Sequence, residues 1–418
     1  ILKLRQEIAR LLGHAGFPDF RLEDHMAATG ERARAFVSDL TERTRPYWHR
    51  DMEELEAHAR ERGIPELEPW DMSFIQEDLR KARFDIDDEQ LRPYFPLQQV
   101  EAGLFELVRR VLGLTVIEKS PTGVWDPEVR VFDILDSDGT HLATFYADWF
   151  PRPEKRQGAW MNPLATGGPQ EDGSFEPHWG FIGGNFTPTD GDRPALLTHR
   201  EVQTLFHEFG HLLHHATSRS PVRGRGGLNV PWDFVEVPSQ LMENWTWERD
   251  ALDLFARHFE TGKPLPDELF QRMIAARRFM GGRHQMRQLS FGTMDLALHS
   301  DFDPEGEEDV IPWVERVLEP FGPRPSFAQR NILTVFSHLF SGGYASAYYS
   351  YLWSEVLEAD AFSRFRDEGV FNQATGRAFL ETILSRGNSA DPADLFREFM
   401  GRDPDPEALV ERNLGPQP

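Results

Sequence analysis

The chain has 418 residues, 39% of them hydrophobic, and a formal net charge of -24. That length supports a large core and more than one compact unit, while so acidic a surface repels phosphate backbones and argues against nucleic acid as a partner. No apolar run approaches the roughly 18 residues that span a bilayer, so no membrane association is expected, and with no cysteine any metal must be held by His, Asp or Glu.

The chain opens at Ile1, directly in a helical pattern, which reads as a fragment or a processed product. Residues 1–114 read as helices: Leu4, Ile8, Leu11 and Leu12 recur at helical spacing, as do Met52, Leu55 and Ala59. Segment 83–97 reads as a turn, a short helix and an extended exit, because Pro93 and Pro96 forbid a long helix. The character changes near Thr115. Val129 to Ile134 alternates, Asp136 to Gly139 makes a turn, and Leu142 to Trp149 is rich in aromatic residues, which predicts a β-hairpin. Gly158 to Met161 and Trp179 to Phe186 are further strand candidates. From Thr198 to its end the chain reads as helical. The expected fold is mostly α with one small β-sheet just before the key helix.

That helix carries His207-Glu-Phe-Gly-His211. Histidines at i and i+4 lie one turn apart on one face and can grip one metal ion, with Glu208 beside the remaining open position. The pentapeptide alone is only moderately specific, so its context matters. Thr198 and Glu201 form a capping box that starts the helix at the right place. Val202, Leu205, Phe206, Phe209, Leu212 and Leu213 supply its apolar surface, and Thr217, Ser218 and Pro221 end it. Gly210 weakens the helix and suggests close approach of another backbone. A third ligand must come from elsewhere. In segment 232–245, Asp233 is expected to cap a second helix whose first turn tolerates Pro238, so that Glu236, Gln240 and Glu243 share a face. A solvated acidic face is the plain alternative. His214 and His215 are read as supporting or core residues, not ligands.

After Gly342-Gly343, a candidate hinge or close contact, Tyr344, Tyr348 and Tyr351 follow at i, i+4 and i+7. This spacing predicts three phenols on one helical face, with Tyr349 off it and expected to tolerate removal of its hydroxyl. Preorganised phenols can stabilise a carbonyl oxyanion; an aromatic core stripe is the alternative.

The segments His207 to His214 and Asp233 to Gln240 resemble the thimet oligopeptidase and oligopeptidase A family of zinc metallopeptidases. The similarity runs along nearly the whole chain through Leu91 to Pro96, Trp125 to Arg130, Gly158 to Met161, Phe336 to Trp353 and Ile383 to Ser389. The resemblance implies one zinc ion on His207, His211 and Glu236, with Glu208 as the base. It also implies a zincin-type peptidase of two halves flanking a deep channel. Tyr351 and Tyr344 would be oxyanion donors, His338 would orient substrate, and Tyr348 would line the site. Family members carry a long helical region before the matched part, so residues 1–114 are expected to form an incomplete channel wall and 115–418 the catalytic domain. Substrate is expected to lie extended along an edge at Gly158 to Met161, contacting Gly158 and Ala159, with Gly342 and Gly343 facing it; a packed structural strand there is the alternative. The function expected is cleavage within short peptides by a cytoplasmic monomer. Dipeptidyl carboxypeptidase activity and non-catalytic peptide binding are the alternatives.

Overall fold

The alternating segment at 129–149 forms the centre of the sheet. The computed structural model describes residues 1–189, 191, 193–322 and 332–415; the expectation of helix over 323–331 and 416–418 lies outside them. Seven strands occur among the described residues: β1 (Thr115–Lys119), β2 (Arg130–Leu135), β3 (His141–Asp148), β4 (Trp160–Ala165), β5 (Gly168–Pro169), β6 (Phe175–Glu176) and β7 (His178–Gly183). Five make one sheet in the order β1-β2-β3-β7-β4, and β5 and β6 form a separate two-stranded ribbon. The expected hairpin is the antiparallel β2–β3 pair, β7 runs parallel to β3, and β4 is an edge strand antiparallel to β7. β1 is largely exposed, so it lacks the alternation that would mark it as a strand. Gly158 and Ala159 precede β4, and Gly158 has φ +90° in open space.

The remainder is mostly helical. The two prolines act as expected: a short helix at Asp88–Leu91 gives way to a 3-10 turn at Arg92–Tyr94, and Pro96 then bridges Leu196. The Leu97–Leu112 helix buries Leu104 and Val108 in the same core as Phe132 and Phe145 of the sheet. The 32-residue helix Gly30–Glu61 packs on the Gly281–Ser300 helix. Close packing there depends on Gly282, where an added Cβ would lie 2.5 Å from the Trp48 backbone nitrogen. The first helix, Leu2–Leu11, is present, but its apolar stripe faces outward: Leu4 is 61% and Leu11 86% exposed, while Ala9 is buried. No helix among the described residues is long and apolar enough to cross a membrane.

Candidate metal centre

The His199–Ala216 helix starts at Thr198 with the full reciprocal capping box to Glu201. Its six expected apolar residues are all buried, and it lies across β7 and β4. Gly180 of β7 permits that approach, since a Cβ there would sit 2.7 Å from Leu212 Cδ1. On its other side, Gly210 meets the Val237–Glu243 helix. An added Cβ would lie 2.5 Å from Ser239 Cα and 2.6 Å from the Pro238 oxygen, so the close backbone approach read from the sequence is present.

This contact brings Glu236 to the two histidines. Its Oε2 lies 3.3 Å from His207 Nε2 and 3.2 Å from His211 Nε2, and the three ligand atoms fall within 4.8 Å of one another. A tetrahedral zinc with bonds of about 2.05 Å needs ligand–ligand edges of about 3.3 Å, which the two edges from Glu236 to the histidines match. Ser239 Oγ donates to Glu236 Oε2 at 3.1 Å and the Tyr344 hydroxyl to Oε1 at 2.6 Å. His207 Nδ1 is 2.7 Å from Glu243 Oε1, the carboxylate partner that orients many metal-binding histidines. His211 Nδ1 is buried with no such partner.

Burial would raise the Glu236 carboxyl, but the charges and hydrogen bonds of His211 and His207 hold it well below the usual range. Burial likewise opposes charge on His207, but Glu236 and Glu243 push it well above its usual value. Glu208 is 7% exposed. Its carboxyl is raised, chiefly by burial, against the opposing effect of His207 and His211 and of a backbone hydrogen bond from Met161 of β4. The candidate base therefore sits beside the edge strand, and its environment favours accepting a proton.

His214 and His215 are fully buried. His215 Nε2 reaches the Trp179 oxygen at 3.1 Å, and burial lowers His214 to about 3. Neither belongs to the three-ligand cluster.

Two local expectations are corrected. Asp233 does not cap a helix: it lies inside the short helix Trp232–Val235, and Glu236 occupies the cap position of the next one. Its buried carboxylate accepts from the amides of Met26 and Ala27 and from the Tyr349 hydroxyl. The tyrosines do not share a helix either. That helix begins at Ser350, and residues 345–349 form turns in which Ser346 takes φ +57°. A paired glycine and a left-handed residue break the 3.6-residue period.

The phenols nonetheless converge. Tyr344 and Tyr351 stack at 4.8 Å between ring centroids, and Tyr348 is 5.4 Å from Tyr351. The His338 ring lies 5.7, 5.6 and 6.1 Å from Tyr344, Tyr348 and Tyr351. Tyr344 is committed to Glu236 and Tyr348 donates to Gln288 at 3.0 Å, whereas the Tyr351 hydroxyl, beside that of Tyr344, has no carboxylate or amide partner among the described residues. Tyr349 is 1% exposed and bonded to Asp233, so it is not a neutral position. Gly343 is a close contact, because a Cβ there would meet Trp232 at 2.4 Å, and a Cβ on Gly342 would lie 3.1 Å from the His338 oxygen. A cavity of about 660 Å³ opens beside Gln240, Glu243, His338, Tyr348 and Tyr351. Ser239, which bonds Glu236, and Asp295, which accepts from the Ser346 and Tyr348 amides, are supporting residues that sequence reasoning missed; a lone carboxylate or hydroxyl on a buried face has no spacing signature.

Residues 1–414 match the family described as Peptidase family M3. Oligopeptidase A of Escherichia coli (strain K12) is 43% identical over 413 residues, covering 98% of this chain and 61% of its own length. The dipeptidyl carboxypeptidase of the same organism is 35% identical over 409 residues, 97% of this chain and 59% of its own length. This chain therefore spans about three fifths of these curated relatives. In fold it is similar to the solved Pyrococcus furiosus carboxypeptidase, with a TM-score of 0.58 at 13% identity over 98% of this chain and 71% of that one. The chain belongs to peptidase family M3.

Proposed function

We propose that this chain is a zinc metallopeptidase that cleaves within short peptides, with one zinc ion held by His207, His211 and Glu236. The observation that carries the proposal is Glu236 Oε2 set 3.3 and 3.2 Å from the two histidine Nε2 atoms, with a buried carboxyl, Glu208, on the helix that carries both histidines. Bound there, zinc supplies a Lewis acid that polarises the scissile carbonyl and acidifies water. Glu208 takes the proton of the attacking water and returns it to the leaving amine. Tyr351 donates its hydroxyl to the oxyanion, and His338 orients the substrate. Tyr344 holds Glu236 in place, a role its hydrogen bond supports better than that of a second oxyanion donor. The edge strand β4, with Gly158 and Ala159 before it, receives the peptide backbone as an added strand. Gly342 and Gly343 let the tyrosine turn approach the substrate.

The domain reading is part of the same proposal: residues 1–114 contribute a channel wall, residues 115–418 carry the chemistry, and the chain works as a cytoplasmic monomer. The greater similarity to oligopeptidase A than to dipeptidyl carboxypeptidase favours internal cleavage over removal of terminal dipeptides. The test is Glu208→Gln on the zinc-loaded chain with an internally quenched peptide. Zinc content is expected to stay at one per chain and turnover to fall almost to zero, with parent products from internal bonds by mass. Lost metal or near-normal turnover would refute the assignment, and products shortened only by C-terminal dipeptides would favour the second activity.

A further inference from the structure

The tyrosine turn has no regular secondary structure to hold it, yet two of its amides end on one buried carboxylate. Asp295, on the Gly281–Ser300 helix, is 0% exposed. Its Oδ1 accepts from the Ser346 amide at 2.8 Å and its Oδ2 from the Tyr348 amide at 2.9 Å. Ser346 is the residue at φ +57°, a conformation that costs a side-chain-bearing residue free energy and persists only where surroundings impose it. Behind Asp295, His299 Nδ1 lies 2.8 Å from the Asp295 carbonyl oxygen and 3.0 Å from Oδ1. Arg5 of the first helix reaches His299 Nε2 at 2.8 Å. A guanidinium can only donate, so Nε2 accepts and the His299 proton sits on Nδ1, facing Asp295. The other arm of Arg5 donates to the Leu339 oxygen at 2.6 Å, in the short helix that carries His338.

We propose that Asp295, oriented by His299 and Arg5, is the positioning residue of the tyrosine turn. It fixes the backbone from Ser346 to Tyr348 that leads into Tyr351, while Arg5 ties the His338 helix to the same support. The catalytic half of this statement rests on the peptidase reading above; the structural half does not.

The test uses the zinc-loaded 418-residue chain with Asp295→Asn and Arg5→Ala. Asparagine offers one acceptor oxygen where the carboxylate offers two, so one of the two amides loses its partner. Amide hydrogen exchange over residues 344–350 is expected to rise about 10-fold or more in Asp295→Asn, and by a smaller factor in Arg5→Ala, with exchange in the His199–Ala216 helix unchanged. In Asp295→Asn, kcat on a quenched peptide is expected to fall about 10-fold with KM and zinc content unchanged. That loss should disappear in a Tyr351→Phe background, because a misplaced ring without a hydroxyl has no donor to lose. Unchanged exchange in Asp295→Asn overturns the proposal, as does a kcat loss that multiplies with that of Tyr351→Phe. Should Asp295→Asn not fold, Arg5→Ala decides by the same exchange reading, and parent-like exchange there overturns it. A parent chain that binds zinc without turning over peptide counts against the peptidase reading alone, and the exchange measurement still decides the support role.

Discussion

Replacing Gly210 by alanine sets two effects of opposite sign against each other. By helix propensity, alanine stabilises a helix interior by about 1 kcal/mol over glycine. The structure predicts the reverse. The new Cβ would lie 2.5 Å from Ser239 Cα, where ordinary contact begins at 3.4 Å, so the two helices must separate by about 0.9 Å. Both contacts are backbone atoms, which cannot turn aside as a long side chain can. Overpacking of this kind costs about 1–3 kcal/mol, enough to cancel the propensity gain. The larger effect falls on the metal. Ser239 is three residues from Glu236, and its hydroxyl bonds that carboxylate, so the displaced helix carries a proposed ligand with it. Metal sites tolerate about 0.2 Å in ligand distance, well below the shift required. Zinc affinity measured by competition with a chelator should therefore fall about 100-fold or more in Gly210→Ala, while the metal-free protein melts no higher than the parent. A variant that binds zinc like the parent and melts higher would show that the helices are not in this contact, and the derivation of the ligand geometry would fail with it.

Removing the hydrogen-bond partner of His207 with Glu243→Ala should weaken zinc about 10–100-fold, and Glu236→Ala should weaken it more; an equal or reversed order, read by the same competition, would reassign the third ligand. Tyr351→Phe should lower kcat by about 100-fold or more with little change in KM, whereas Tyr344→Phe should also lower zinc affinity, because it frees Glu236 Oε1. Tyr349→Phe removes a buried donor from Asp233 and should lower thermal stability by about 1–3 kcal/mol with a smaller change in kcat; identical kinetics for Tyr351→Phe and Tyr349→Phe would make the tyrosines structural. Burial lowers His178 and His199 each to about 4, below an unfolded value near 6.5, so the unfolded chain binds protons first as pH falls. Their stability contribution is complete above pH 6.5 and is lost toward pH 4, of order 3 kcal/mol for each; a denaturation midpoint unchanged between pH 7 and pH 4.5 would contradict this.

The parts of the site that were legible in the sequence are those fixed by local periodicity. A capping box, six apolar residues on one stripe and two histidines a turn apart all lie within one helix, and one helix is a geometry that sequence spacing determines. Gly210 was legible for a related reason, since a residue that weakens its own helix must be explained by a neighbour. The tyrosines were misread because i, i+4, i+7 has that meaning only inside a helix, and their turn takes its shape from Asp295 and Asp233. Those partners lie 51, 53 and 116 residues away, and no local pattern reports them. The first helix shows the converse: its apolar spacing is regular, but the stripe faces solvent, so period alone identified the element and not its buried side.

This difference corresponds to a division of labour in the site. The proposed metal ligands stand on two helices pressed together at Gly210, a contact with no room for adjustment, which suits an ion whose bond lengths tolerate little error. The proposed oxyanion donor stands at the start of a helix behind a turn held by hydrogen bonds to buried carboxylates. Such bonds are directional, yet they can break and re-form as a unit, which packed backbones cannot. A substrate-contacting group gains from that arrangement, because it must let peptides in and out as well as meet the carbonyl. Both carboxylates are themselves tied to the start of the chain: Asp295 to the first helix by way of His299 and Arg5, and Asp233 to the amides of Met26 and Ala27. Arg21 adds a third tie to the Gly343 oxygen at 2.9 Å. The first 30 residues therefore contribute to the site by holding the tyrosine turn in position, although none of them supplies a ligand or a proton donor to the reaction proposed here.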